Sequence, residues 1–210
     1  NADDQIKFDV SQIEILEGGN KIIGKKRGTI TTNDGDLVNA DEFEYDKIKN
    51  ILKAKGNITV KDEVNDYIVN SENILYLKDQ EKIQLKGKSS SLIFSNFNFK
   101  SEDLIILRDK LVLESNKPTT IIDKKNQTLY EIDKFSYSIK EEILKGDKIF
   151  INTKFNQPFS DKFFFKNAIF NLKDQSYIAK DIDINLKKDI FGNKKNDPRF
   201  KGISSSSKNG

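Results

Sequence analysis

The residues that most enzymes use for covalent and metal chemistry are missing from this chain: it has no cysteine, histidine, methionine or tryptophan. Thiol nucleophiles, Ser-His and Cys-His arrangements and zinc sites of the Cys/His kind go with them. Carboxylates remain, and the acidic turn Asn33-Asp34-Gly35-Asp36 has the composition of a calcium loop. With its glycine at Gly35, that loop would put Ile30 and Thr32 in the first two side-chain ligand slots, and Ile30 has no oxygen to offer. The stretch reads instead as a tight hairpin turn. Glycoside hydrolysis needs carboxylates gathered on one face, whereas Asp and Glu here stand mostly beside lysine at alternating positions. No nucleophile, general base, metal or cofactor is nominated, and the expectation is of a protein that is not an enzyme.

Charge narrows the partners. The chain carries 36 basic and 33 acidic residues, and only Arg27, Arg108 and Arg199 are arginine. A nucleic-acid reader would gather arginine on one face and keep acids away from it. Lysine and acid mixed along every segment read as solvated outer faces, so no nucleic acid is expected. Asn1-Ala2-Asp3-Asp4 has neither a basic nor an apolar leader character, and no run approaches the roughly 18 apolar residues of a membrane helix. The expectation is a cytosolic protein or one whose signal peptide has been removed.

Positioning falls to short alternating strands. In Ala40 to Lys61, Phe43 and Tyr45 alternate with Glu42, Glu44 and Asp46, Ile51-Leu52-Lys53-Ala54 follows, the chain stops at Gly56-Asn57, and Ile58-Thr59-Val60-Lys61 alternates again. Each strand buries one side only. Ile6, Phe8 and Val10, then Ile13 and Ile15, form two opening strands before Glu17-Gly18-Gly19-Asn20 turns the chain, and Ile22-Ile23 and Thr29 to Thr32 are separated by Gly24 to Gly28.

Weaker copies recur roughly every thirty residues, the sign of a stack in which each unit covers the apolar edge of the last. Ala40-Asp41-Glu42-Phe43-Glu44-Tyr45 is echoed by Ser71 to Tyr76, Ser101 to Ile106, Asp133 to Tyr137 and, more loosely, Asn167 to Leu172, with breaks at Gly56, Gly87 and Gly146. No segment sustains helical spacing, so the chain is all β, expected as two facing sheets in a sandwich or an elongated jelly roll. Leu104 to Leu107 and Phe163-Phe164-Phe165 break the alternation and are expected to be buried on both sides or to lie where strands cross. Pro118 and Pro158 belong at strand ends or edges.

The unit Ala-Asp-x-Phe-x-Tyr-Asp followed by Ala-x-Gly-Asn-Ile-x-Val, with its shorter forerunner Ile15 to Asn20, resembles the OstA-like repeat of the lipopolysaccharide transport proteins over about residues 10 to 190. That repeat occurs in the periplasmic bridge LptA, the membrane-anchored LptC and the N-terminal domain of LptD. The tail from Asp189 to Gly202 resembles the segment after the repeats in LptD proteins of alphaproteobacterial type, which makes that domain the nearest likeness. Two departures temper it: the cysteine that LptD proteins often carry in this domain is absent, and without barrel strands the chain, if of LptD type, is expected to be the periplasmic part only.

The resemblance implies an open, V-shaped β-jellyroll built from these repeats over residues 1–190, with 191–210 as a linker toward a barrel. It implies a place in the periplasm at the inner side of the outer membrane, and transport of lipopolysaccharide with its acyl chains shielded in an apolar groove. Implied partners are lipopolysaccharide, an LptA-like bridge protein, the outer-membrane barrel and its LptE-type lipoprotein plug. Groove candidates are Phe43, Tyr45, Ile58, Val60, Ile74, Tyr76, Phe97, Phe99, Leu104, Ile106, Phe135, Tyr137 and Ile139, with lysines near strand ends for the sugar phosphates. The partner-edge strand runs through Ile6, Phe8, Val10, Ile13 and Ile15, where an open sheet edge accepts another strand. Rival readings are an LptA/LptC-like component, a structural or adhesive repeat protein without lipid cargo, and a parallel β-helix acting on polysaccharide.

Overall fold

A computed structural model of the chain describes residues 6–32, 35–157, 160–186 and 198–208. Among them the regular structure is antiparallel strand, joined by tight turns and two short 3-10 turns, Glu17–Gly19 and Lys78–Gln80. The strands are β1 (Lys7–Leu16), β2 (Lys21–Thr31), β3 (Leu37–Asp46), β4 (Ile51–Asp62), β5 (Tyr67–Leu77), β6 (Lys82–Ile93), β7 (Phe97–Leu107), β8 (Val112–Ser115), β9 (Thr119–Asp123), β10 (Thr128–Ser138), β11 (Ile143–Thr153), β12 (Lys162–Asn171), β13 (Ser176–Asn185) and β14 (Arg199–Ser207). Antiparallel pairing rules out the parallel β-helix.

The chain divides into two compact units, one of residues up to Ser95 with Ser101–Leu111, the other of Asn96–Lys100 with Val112 onward. In the first, β1 to β6 pair in chain order. In the second, β10 to β14 do the same, with β8 and β9 both on β10. Arg199–Ser207, in the stretch expected to be a linker, is thus a strand hydrogen-bonded to β13. Residues 191–197 of that stretch, Pro158 and the tip of the Asn33-Asp34 turn lie outside the described residues.

The glycine breaks do not end strands. Expected to separate Ile51–Ala54 from Ile58–Lys61, Gly56-Asn57 instead lies inside the single strand β4, where the register to β5 slips between Lys55 and Ile58. Likewise β1 is one strand with a slip between Val10 and Gln12, and β2 one strand with a slip between Lys25 and Gly28. An extra residue on one strand bends it and adds twist. It also resets which side faces inward. Val38 and Ala40 are buried in the first half of β3 and Phe43 and Tyr45 in the second; Val69 and Ser71, then Ile74 and Tyr76, repeat the change in β5. In the second unit the same line falls at Asn116-Lys117-Pro118, where proline, which cannot donate to a ladder, divides β8 from β9 along β10.

The consequence is a sheet folded over on itself. Eleven residues of straight strand span about 36 Å. Yet Arg108, just past the end of β7, touches Asp36, just before the start of β3, at opposite ends of the first unit's strands. The first and second halves of each strand therefore form two walls, and their inner faces share one core. The repeat's acidic residue serves the bend: Asp41 accepts from Arg27 Nη1 at 3.0 Å and from Asn57 Nδ2 at 2.7 Å, and the Gly56 backbone, at φ 77°, lies close against it. These contacts are exposed and structural.

Close approach governs Gly28, where an added Cβ would sit 2.1 Å from Val10 Cγ1 and 2.7 Å from the Asp9 carbonyl. Gly28→Ala is expected to lower stability by about 1–3 kcal/mol through overpacking. Urea unfolding gives the loss, and hydrogen exchange should show β1 amides losing protection while those of β4 and β5 keep theirs.

Candidate functional site

All thirteen groove candidates point inward and all are buried, none more than 6% exposed. They fall into two sets. Phe43, Tyr45, Ile58, Val60, Ile74, Tyr76, Leu104 and Ile106 belong to the core of the first unit, and Phe97, Phe99, Phe135, Tyr137 and Ile139 to that of the second. In the second set Phe99 stacks on Phe135 at 5.4 Å and meets Tyr137 at 5.1 Å, ordinary aromatic contact distances. In this state the rings fill each interior by packing on one another. Of the edge candidates, Ile6, Phe8 and Val10 are half-buried, with Phe8 6.3 Å from Tyr45, while Ile13 and Ile15 stand exposed on β1, which among the described residues pairs with β2 alone.

The second interior reaches the surface at a mouth. A cavity of about 150 Å³ is floored by Tyr130, Ile151, Phe163, Phe165, Phe170, Leu172 and Tyr177. Phe165, Phe170 and Tyr177 form a triangle with centroids 5.5 to 5.8 Å apart. The rim is polar: Asp123, Asn126 and Thr128 come from one wall, Asn171, Gln175 and Ser176 from the other. None of the floor residues was among the sequence candidates. Their signal was the same alternation, plus the Phe163-Phe164-Phe165 run, in which Phe165 is buried, Phe163 half-buried and Phe164 exposed, so the run is not buried on both sides.

The polar groups near this mouth are occupied by structural work. Buried Asp123 accepts from Asn96 Nδ2, Asn126 N and Asn126 Nδ2 at 2.7 to 3.1 Å. Asp62 holds Asn65 in the same way in the first unit. Elsewhere in the second unit Tyr137 is one exception, with Asn152 Oδ1 and Asn185 Oδ1. The Tyr137 hydroxyl is buried with no hydrogen-bond partner among the described residues, and burial pushes its pKa up.

The corresponding end of the first unit is built differently. Arg108, with its side chain 9% exposed, places Nη2 2.5 Å from Asp36 Oδ2 and Nη1 2.8 Å from Tyr76 Oη and 3.1 Å from Glu81 Oε2. Its guanidinium lies 5.6 Å from the Tyr76 ring centroid. Burial works against the guanidinium charge, but Asp36, Tyr76 and Tyr67 together outweigh it and the Arg108 pKa rises. Burial likewise raises Tyr76 to about 12. A wider hollow of about 560 Å³ crosses β2 to β6 in this unit, where lysines stand beside Glu42 and Glu44; Lys53 and Lys21 hold the Glu44 carboxyl below its ordinary pKa. Among the described residues no group of three or more metal-ligating side chains occurs.

No family model matches the sequence, and no curated protein matches it. Among solved structures, LptH of Pseudomonas aeruginosa, described as the LptA homologous periplasmic component of a lipopolysaccharide transport device, is similar with a TM-score of 0.42 and 12% identity, over 50% of this chain and 76% of that one.

The mouth depends on its fully buried ring more than on its rim. Phe165→Ala is expected to cost about 3–5 kcal/mol in denaturant unfolding, as a cavity-forming change does. Phe163→Ala, at a half-buried position, should cost clearly less.

Proposed function

We propose that the chain is a periplasmic component of lipopolysaccharide transport that shields acyl chains in its apolar interior. One observation carries the reading: within the second unit, the two inner faces of the folded sheet form a core that opens at an aromatic-floored, polar-rimmed mouth. An apolar floor takes hydrocarbon, and the polar rim keeps the attached headgroup at the water boundary. The resemblance of the repeats to the OstA-like unit supports the same assignment.

The energetics set the requirement. Each methylene kept from water is worth about 0.8 kcal/mol, so a fourteen-carbon chain left bare costs on the order of 10 kcal/mol. The mouth alone, near the size that takes one benzene-sized group, covers only the first carbons. The rest of the chain is covered when the packed rings of the interior part to admit it. No reacting group is required for this task.

The finer placement is the N-terminal periplasmic domain of an LptD protein at the inner side of the outer membrane. There β1 accepts the last strand of an LptA-like bridge, and the C-terminal side serves the barrel and its LptE-type plug. Exposed Ile13 and Ile15 on β1 support the docking edge. A bridge-like LptA or LptC role is the second reading, favoured by β14: among the described residues it pairs with β13 alone, and it carries Phe200 and Ile203 exposed. Two strands open to augmentation suit a link in a chain of domains.

Lipid A and purified lipopolysaccharide are expected to displace a fluorescent apolar probe from the protein at micromolar concentration. Failure of both to displace it removes the transport reading and leaves a structural repeat. Photo-crosslinkers at Ile13 and Ile15 should yield adducts with an LptA-like partner; adducts with the chain itself alone count against the bridge edge.

A further inference from the structure

The two ends described above are built on one repeated plan with one substitution. In the first unit, the backbone N–H of Arg108 donates to the Glu81 carbonyl at 2.8 Å, and Glu81 accepts from the Tyr76 hydroxyl at 3.0 Å. In the second unit, the N–H of Leu172 donates to the Glu142 carbonyl at 2.9 Å, and Tyr137 stands five residues before Glu142 as Tyr76 does before Glu81. Leu172 therefore occupies the place of Arg108. Where arginine stands, Tyr76 is bonded and the guanidinium crosses to Asp36 on the facing wall. Where leucine stands, Tyr137 has no hydrogen-bond partner, and Leu172 lines an apolar mouth.

We propose that Arg108 is a latch joining the two lips of the first unit, so that side access by acyl chains is confined to the Leu172 mouth of the second unit until that latch is released. The inference rests on the acyl-chain reading above and adds where the hydrocarbon is admitted. The physical basis is the planar guanidinium. It bonds Asp36 on one wall and Tyr76 and Glu81 on the other at once, and the Asp36 pair, which joins the walls, is sheltered from water on both sides. Parting the lips separates a buried charge pair, whereas parting the leucine mouth separates only apolar surfaces and rings.

The test uses the full chain and a fatty acid bearing a photoactivatable diazirine, with adducts mapped by mass spectrometry. In the parent protein, adducts are expected on peptides of the second mouth, such as those holding Phe170 and Tyr177, at several times the level found on peptides holding Tyr76 and Ile106. Asp36→Asn with Arg108→Leu, changed together so that no lone buried charge is left, should raise labelling of the Tyr76 and Ile106 peptides several-fold. Leu172→Arg should lower labelling of the second mouth several-fold, and it keeps the test open if the double variant does not fold. Equal labelling of both ends in the parent, or no change in Leu172→Arg, overturns the latch while leaving the transport reading intact. No labelling at either end overturns the transport reading itself.

Discussion

The structure depends on one backbone constraint: each strand must bend in its middle without losing its partners. A flat antiparallel strand exposes alternate side chains on a single face, and a sheet of such strands needs a second layer to cover it. Here no second layer is supplied by other elements. The mid-strand slips at Lys25–Gly28, Asn39–Glu42 and Lys55–Ile58 turn the sheet over on itself, so that the first halves of the strands cover the second halves. A left-handed residue at the bend, such as Gly56 at φ 77° or Lys26 at φ 71°, is what the turn-over requires.

Seen this way, the most repeated features of the chain have separate physical tasks. The acidic residue near the start of the first copy, Asp41, accepts hydrogen bonds from the bend. The aromatic residues two and four positions later supply buried area, with Phe43 and Tyr45 as the pattern. The turns beyond them tie neighbouring copies together through single backbone bonds, such as Lys78 to the Asn50 carbonyl and Leu172 to the Glu142 carbonyl. A repeat of this kind leaves one variable place per copy free to carry function: the residue at the lip. Arginine there closes, and leucine there opens.

The same division explains why exposed charge says little about this protein and buried charge says more. Pairs such as Lys53 with Glu44 or Lys148 with Asp133 lie in water, where an ion pair contributes little. Arg108 and Asp36 lie out of it, where neither charge is tolerated without the other. One arginine among three thus has a role that composition assigns to none of them.

Alternation by itself determined that the chain is β throughout, which side chains face inward, and that the units repeat; all thirteen inward candidates are buried because period two follows from backbone geometry alone. It also marked the bends, as glycine and broken alternation, but read them as strand ends, because a bulge and a stop look alike when the partner strand is unseen. Which inward residues reach the surface was decided only by the tertiary structure. Phe165, Phe170 and Tyr177 meet at a mouth within the β12–β13 pair, and Arg108 meets Asp36 because the folded sheet brings together strand ends far apart along the chain and about 36 Å apart along a straight strand. Contacts across that fold pair residues at separations no local period records.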